Sequence, residues 1–240
     1  MARVRQHVPP SSAGVVDLDG QHTLEHALDA ELAELARFKT RKQLLRSELY
    51  RRLAPTLDRL GFGMEYSRSE RWDVAARESV RVVAWNIQRG IHFDGIAEAL
   101  ATEAELARAD VLMLLESDLG MARSGNRNVA RELAGRLGFD YVYGNSYLCL
   151  SAGNRREASQ VGPDTLALSG NAILSRLPLT RAENFTVAIM KDKFESSEKR
   201  LGHKQALWAE VAIGTKRLAI AAVHLDSAAS SAGRRCNWPT

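Results

Sequence analysis

The chain has 240 residues, of which 45% are hydrophobic, with a formal charge of +4 and a pI of about 9.2. This length and composition exclude wholesale disorder and suit one full-sized domain, alone or with an appendage. Two distant cysteines, Cys149 and Cys236, form neither a disulfide framework nor a zinc site, and they fit a reducing compartment. No apolar run approaches ~18 residues and no secretion signal opens the chain, so we expect a cytoplasmic protein without a membrane span. The small basic excess suits a phosphate-bearing partner, although an ordinary surface explains it more simply.

The first third of the chain divides into an arm and a helical segment. Residues 1–21, which contain Pro, Ser and Gly, are predicted to be a flexible arm. Residues 22–78 are predicted to be a helical accessory segment and a polar linker, with Pro55 interrupting the second helix. The basic residues of this segment favour a solvated helix face over nucleic-acid contact. The helices are predicted from leucines at helical spacing in two stripes: Leu24, Leu28, Leu32 and Leu35, then Leu45, Leu49 and Leu53.

From residue 79 onward the pattern changes to alternating strands and helices. Early β-α-β units followed by hairpins predict a mixed sheet covered by helices, and therefore an α+β or layered α/β domain over residues 79–240. Gly138 is predicted to stop the second helix, and Gly214 with Thr215 to form a hairpin turn. The predicted helices span 93–108 and 128–137, and the predicted strands span 80–86, 110–116, 139–144, 169–175, 183–190, 205–213 and 216–225.

Three polar residues stand at the ends of predicted strands. Asn86 follows "VVAW", Glu116 follows "VLMLL", and His224 follows "AIAAV". One such residue would usually be a cap, but in layered folds strand ends converge on one crevice where ligands bind. A Glu oxygen suits a hard cation, Asn offers a donor and an acceptor, and His offers a proton or a phosphate contact. This set, with few cysteines, favours Mg²⁺ or Mn²⁺ over zinc.

These residues belong to an ordered series of motifs: "VVAWNIQRG", "DVLMLLESDLG", "SGNAILSRLPL" and "LAIAAVHLDS". The series resembles the endonuclease/exonuclease/phosphatase superfamily over residues 80–227. The resemblance implies a four-layer α/β/β/α sandwich of the deoxyribonuclease I type. It also implies a metal-dependent phosphoester hydrolase, such as a nuclease, phosphodiesterase or phosphatase, using Mg²⁺ or Mn²⁺.

Carried over by motif, the resemblance implies specific roles. Asn86 and Glu116 would hold the metal, and His224 would contact the phosphate side of the site, so these three are the predicted catalytic residues. Asn171 would support the loop beside the site. The resemblance implies that the substrate is a phosphoester. The absence of an obvious lipid-binding hairpin favours nucleic acid or a nucleotide as that substrate. The oligomeric state is left open.

Basic residues outside the motifs are further candidates for substrate contact. Arg123, Arg127 and Asn128 would contact substrate phosphate, because they follow Glu116 and precede a helix; an N-capping turn with solvated arginines is the alternative. A second basic cluster precedes the "QALWAEV" strand: Arg200, His203 and Lys204.

Two motifs of the family are missing from the sequence. No Gly-Asp-x-Asn and no C-terminal Ser-Asp-His is present, so the resemblance implies a sandwich incomplete at its C-terminus and weak or no activity. The strand "LAIAAVH" is then expected to lack neighbours. A shift of reading frame near Arg235 is one hypothesis for the tail. The alternatives to a weak hydrolase are a phosphate- or nucleic-acid-binding pseudoenzyme and a non-functional fragment.

Overall fold

The computed structural model describes residues 12–68, 79–153, 157, 162–187 and 192–225. Residues 1–11 of the predicted arm, residues 69–78 of the predicted linker, and the tail with Cys236 and the proposed frame shift lie outside the described residues. The helices are Asp29–Arg37 (α1), Arg41–Arg46 (α2), Glu48–Gly61 (α3), Phe93–Thr102 (α4), Ala104–Ala107 (α5) and Val129–Leu137 (α6). The strands are Val16–Asp17 (β1), Gln21–His22 (β2), Met64–Ser67 (β3), Val82–Arg89 (β4), Val111–Leu119 (β5), Asp140–Cys149 (β6), Leu168–Ser175 (β7), Leu179–Thr186 (β8), Arg200–Gly202 (β9), Gln205–Ile213 (β10) and Lys216–Val223 (β11).

Two sheets pack face to face. The larger sheet has seven strands in the order β2-β3-β6-β7-β5-β4, with β9 paired to β6. The smaller sheet has four strands in the order β1-β8-β10-β11. The apolar layer between them includes Val111, Val142 and Ile173 from the larger sheet and Leu207 and Val211 from the smaller one. The molecule is therefore an α+β protein with mixed sheets, because β4 and β5 are parallel while the other pairs are antiparallel.

The outer face of the larger sheet carries the helices. A hydrophobic core separate from the layer between the sheets joins α3, α4 and α6 to this face through Leu57, Leu100 and Leu133. Among the described residues, the outer face of the smaller sheet carries exposed side chains such as Ala219 and Ala221. Three of the four predicted layers are therefore seen in this part of the chain, in the order α/β/β.

The N-terminal segment is part of the same fold. Leucines of 22–60 share one core with Ile87, Leu112 and other residues on the outer face of the larger sheet. Within the predicted arm, β1 pairs with β8 and β2 pairs with β3, so residues 16–22 are held by both sheets. The described N-terminal residues therefore contribute strands as well as helices to the fold, and the division into an arm, an accessory segment and a domain stays a prediction.

Helix α3 continues through Pro55, so the predicted interruption there is wrong. Three leucines of α3 are buried, Leu53, Leu57 and Leu60, and burying a leucine contributes about 1.5–3 kcal/mol each. A proline inside a helix costs about 3 kcal/mol. Pro55 is exposed, so the carbonyl that it leaves unbonded faces water, and the buried face outweighs the loss. The predicted leucine stripe is also displaced, since Leu45 is exposed.

Other predicted elements are confirmed. Asn128 caps α6, and Gly138 ends it in the left-handed conformation with φ of 68°. Gly214 and Thr215 connect β10 to β11, where Ile213 pairs with Lys216. Within the described strands β11 has β10 as its neighbour and forms one edge of its sheet, as expected. No helix of the described residues is long and apolar enough to cross a membrane.

Candidate active site

Two irregular stretches inside strands β4 and β5 shape the site, and they correct the prediction that Asn86 and Glu116 end these strands. The pairing of β4 with β5 shifts register between Asn86 and Arg89, and the pairing of β5 with β7 shifts between Leu114 and Ser117. At these bulges the backbone is left-handed at non-glycine residues: φ is 68° at Arg89 and 57° at Glu116. Such conformations cost about 1–3 kcal/mol each and concentrate where function requires them. The bulges turn Glu116 out of the strand alternation and towards a cleft.

The cleft lies where the two sheets meet and has a volume of about 170 Å³. Glu116 Oε1 lies 3.6 Å from His224 Nδ1, so β5 of the larger sheet approaches the end of β11 of the smaller sheet. Asn171 on β7 lines the same cleft and donates from Nδ2 to Gln205 O at 3.1 Å. The structure thus brings together three of the predicted site residues. The described lining residues are Glu116, Ser146, Tyr147, Ser169, Gly170, Asn171, Lys193, Arg200, Lys204, Gln205, His224 and Leu225.

Asn86 lies beside this cleft rather than in its lining. It is exposed, and its pairing partner on β5 is Leu115, the residue before Glu116. Its Oδ1 accepts a hydrogen bond from Gln88 N at 2.9 Å, which stabilises the bulge. The amide oxygen keeps a second lone pair and the amide nitrogen keeps its donors. These polar atoms are exposed on β4, beside the stretch of β5 that carries Glu116.

Arg89 is the buried cation behind Glu116. Its side chain is 10% exposed, its Nε lies 3.9 Å from Glu116 Oε2, and its Nη2 donates to Glu198 at 2.8 Å. It also pairs with buried Glu157. Burial alone would raise the pKa of Glu198. The guanidinium groups of Arg200 and Arg89 outweigh burial and hold this pKa below its usual range. Arg89 thus places a positive charge 3.9 Å from one oxygen of Glu116, while the other oxygen faces His224.

The remaining charges on the cleft wall are positive. Lys204 Nζ donates to His224 O at 2.8 Å and to Leu225 O at 2.9 Å, so it anchors the chain that carries His224. Arg200 pairs with Glu198 and lies over the Tyr147 ring at 5.6 Å. Lys193 is half-buried in the cleft wall. A cleft with one half-exposed carboxylate and several cations is suited to an anionic ligand.

The predicted phosphate residues Arg123, Arg127 and Asn128 lie elsewhere. Arg123 is buried and holds buried Asp118 through two hydrogen bonds of 2.6 and 2.8 Å, so it has no surface to offer a substrate. Arg127 pairs with Glu132 at 2.6 Å.

Asn128 accepts from Arg131 N at 3.0 Å and contacts buried Glu65 through Nδ2. Asn128 therefore has the alternative role, that of an N-cap. Arg123 fits neither expectation, because it is buried and is neither a phosphate ligand nor a solvated arginine.

The carboxylate of Glu116 is the one strong ligand that the described lining of the cleft offers a divalent cation. Among the described residues no group of three or more His, Cys, Asp or Glu side chains could enclose a metal ion. Mg²⁺, however, is commonly held by one or two carboxylates, with waters and substrate phosphate completing its shell. Glu116, with Asn86 as a second oxygen donor, fits this open type of site and does not fit a closed one.

Comparison with protein-family models, with curated proteins and with solved structures gave no match for this chain. The assignment of a function must therefore come from the site itself.

Three residues of the site were missed or undervalued by the sequence reasoning. Arg89 is the last residue of β4, and only the tertiary structure shows that it lies within 4 Å of three carboxylates. Lys204 belongs to the predicted basic cluster before "QALWAEV", but its contact with the end of β11 depends on tertiary structure. Lys193 has no motif or periodicity that distinguishes it in the sequence.

Proposed function

We propose that this chain is a divalent-metal phosphoester hydrolase of the endonuclease/exonuclease/phosphatase type, with a deoxyribonuclease I-like fold. The observation that carries the proposal is the cleft between β5, β7 and the end of β11, where Glu116 is the one carboxylate of the described lining residues and faces cationic walls. A phosphoester needs both features, because its oxygens are neutralised by cations and a hard metal ion requires a carboxylate. Phosphodiesters are the proposed substrates, with nucleic acid favoured.

In this proposal each side chain has a distinct task. Glu116 holds Mg²⁺ or Mn²⁺, aided by Asn86, and Arg89 keeps the Glu116 carboxylate in place. The metal, when bound, would offset negative charge on the phosphoryl oxygens. His224, fixed by Lys204, contacts the phosphate and can donate a proton to the leaving oxygen. Asn171 keeps β7 against β10 beside the phosphate.

Turnover is expected to be slow. Glu116 is the single carboxylate among the described lining residues, and it is engaged by Arg89 and His224. A separate base to activate water is therefore lacking in this part of the chain. General base catalysis typically contributes about 10²–10⁴-fold to a rate.

Substituting Glu116→Ala is expected to lower the metal-dependent hydrolysis of bis(4-nitrophenyl) phosphate by about 10²-fold or more, because the metal loses its one carboxylate. The rate is measured with Mg²⁺, with Mn²⁺ and with a chelator. Glu98→Ala is the matched control, since Glu98 is exposed on α4. Equal metal-dependent rates for wild type and Glu116→Ala would remove the hydrolase proposal.

A second candidate is phosphate or nucleic-acid binding without hydrolysis. It is favoured by one observation: each oxygen of Glu116 already has a nitrogen-bearing side chain within 4 Å, Arg89 at 3.9 Å and His224 at 3.6 Å, in the absence of a metal. Binding of a single-stranded oligonucleotide would then weaken as salt rises. An affinity that is flat against salt concentration would count against this candidate.

A further inference from the structure

The helical N-terminal segment reaches the rim of the cleft. Arg41, the first residue of α2, donates from Nη1 to Asp192 Oδ2 at 3.3 Å and from its backbone N to Glu195 Oε1 at 3.3 Å. Lys199 crosses in the opposite direction, and its Nζ donates to two backbone oxygens near the end of α1 at 2.8 and 2.7 Å. These contacts tie the segment 192–199 to the junction of α1 and α2.

The tied segment carries Lys193, which lines the cleft. The neighbouring Phe194 is fully buried in the core, and its backbone N donates to Asp192 Oδ1 at 2.9 Å. Lys193 O accepts from Ser196 Oγ at 2.7 Å and from Arg200 N at 3.2 Å. The backbone of Lys193 is therefore fixed on both sides. Lys193 thus lines the cleft with its backbone held, and its ammonium group makes no ion pair with the described residues.

Arg41 also fixes the opposite wall through His203. Its Nη2 lies 3.1 Å from His203 Nε2, and because an arginine can only donate, this nitrogen must accept. Burial, together with the nearby Arg41 charge, lowers the pKa of His203 and so favours the neutral ring that this contact needs. His203 N donates to Ser146 O at 3.1 Å, and Ser146 lines the cleft. One arginine thus joins both sides of the rim.

We infer that Lys193 binds a phosphate group of the substrate and that Arg41 is the positioning residue that holds Lys193 in the cleft. This inference rests on the proposed function for the identity of the ligand. The α1–α2 junction is then a specificity element, since it sets where the ammonium group meets the phosphate. An unpaired ammonium group in a half-buried cleft gains a charge-assisted hydrogen bond when a phosphate oxygen arrives.

The test uses the full chain and inorganic phosphate as the probe, with binding measured calorimetrically in the presence of a chelator and again with Mg²⁺. Lys193→Met is expected to lower phosphate affinity by about tenfold, the loss of one charged hydrogen bond. Arg41→Met is expected to lower it several-fold. Lys42→Met, which removes an exposed cation next to Arg41 on the same helix, is the control and is expected to leave the affinity unchanged.

The double variant of Arg41 and Lys193 distinguishes a positioning role of Arg41 from a nonspecific loss of structure. If Arg41 acts through Lys193, Arg41→Met/Lys193→Met binds phosphate as Lys193→Met alone does, because interacting residues are not additive. Additive losses would overturn the positioning role, and wild-type affinity in Lys193→Met would overturn the contact. Should Arg41→Met fail to fold, Asp192→Asn replaces it, since it removes the counter-charge 3.3 Å from Arg41.

These outcomes are distinct from failure of the proposed function. Phosphate binding that depends on Lys193 and Arg41 without any hydrolysis would support this inference and reject the hydrolase. Metal-dependent hydrolysis that requires Glu116, together with phosphate binding that does not change in Lys193→Met, would support the hydrolase and reject this inference.

Discussion

Substituting Arg123→Met is expected to lower the free energy of unfolding by about 3–5 kcal/mol. The side chains of Asp118 and Arg123 are 0% and 1% exposed and are joined by two hydrogen bonds. Burial raises the pKa of Asp118 above its usual range even beside the guanidinium. Removing Arg123 would therefore leave a buried carboxyl group that has lost its main partner, and that cost exceeds the net contribution of the pair itself.

Urea unfolding at neutral pH measures this effect, and Arg127→Met supplies the matched control. Arg127 pairs with Glu132 at 2.6 Å in the same region, but both side chains are 36% exposed. A pair so exposed contributes about 0–1 kcal/mol. The double variant Asp118→Leu/Arg123→Met should recover much of the loss. Similar small losses for the two arginine variants would contradict this account of Arg123.

Substituting Gly170→Ala is expected to lower the free energy of unfolding by about 3 kcal/mol, the upper end of overpacking costs. A Cβ at position 170 would lie 2.9 Å from Gly144 C and 3.0 Å from Asn145 Cα, and closer still to Gly144 O. The obstructing atoms are backbone atoms of the neighbouring strand β6, so they cannot move aside without opening the sheet. Because Gly170 lines the cleft, phosphate affinity should fall in the folded fraction as well.

Gly135→Ala is the matched control for this prediction. Gly135 lies inside α6, with no atom within 4 Å of the position its Cβ would take. Alanine is favoured over glycine in a helix by about 0.5–1 kcal/mol. Thermal unfolding should therefore show opposite shifts for the two glycine variants. A Gly170→Ala protein as stable as wild type would mean that β6 and β7 do not approach as closely as described.

Local sequence signals predicted the regular elements well. The apolar run of β5, the glycine at the end of α6 and the two-residue turn between β10 and β11 each depend on neighbouring residues, which a sequence displays directly. The N-terminal segment was harder, because β1 and β2 are two residues long and exist through pairing with β8 and β3. Helix α3 was divided at Pro55 because the burial that outweighs a proline is a tertiary effect.

The site was predictable in part, since Glu116, His224 and Asn171 line one cleft. Glu116 does not end its strand as predicted, because β5 continues through a bulge to Leu119. The register shift that turns Glu116 out of the strand alternation is not visible in the apolar run that precedes it. The role of Arg123 could not be predicted from sequence, because the sequence shows neither its burial nor its pairing with Asp118. An arginine that pairs with a buried aspartate and one that binds phosphate are the same residue type. The contact between Arg41 and Asp192 joins positions 151 residues apart, and no local pattern encodes it.

Glu116 is proposed to hold a divalent cation in a phosphate-binding cleft. Electron paramagnetic resonance titration of Mn²⁺ into wild type and Glu116→Gln, with and without inorganic phosphate, tests this role of Glu116 directly. We expect a Mn²⁺ site in the wild type that phosphate strengthens, and at least about tenfold weaker binding in Glu116→Gln, in which the charged ligand is replaced by a neutral one of similar shape. Equal Mn²⁺ affinity in the two proteins would contradict this role.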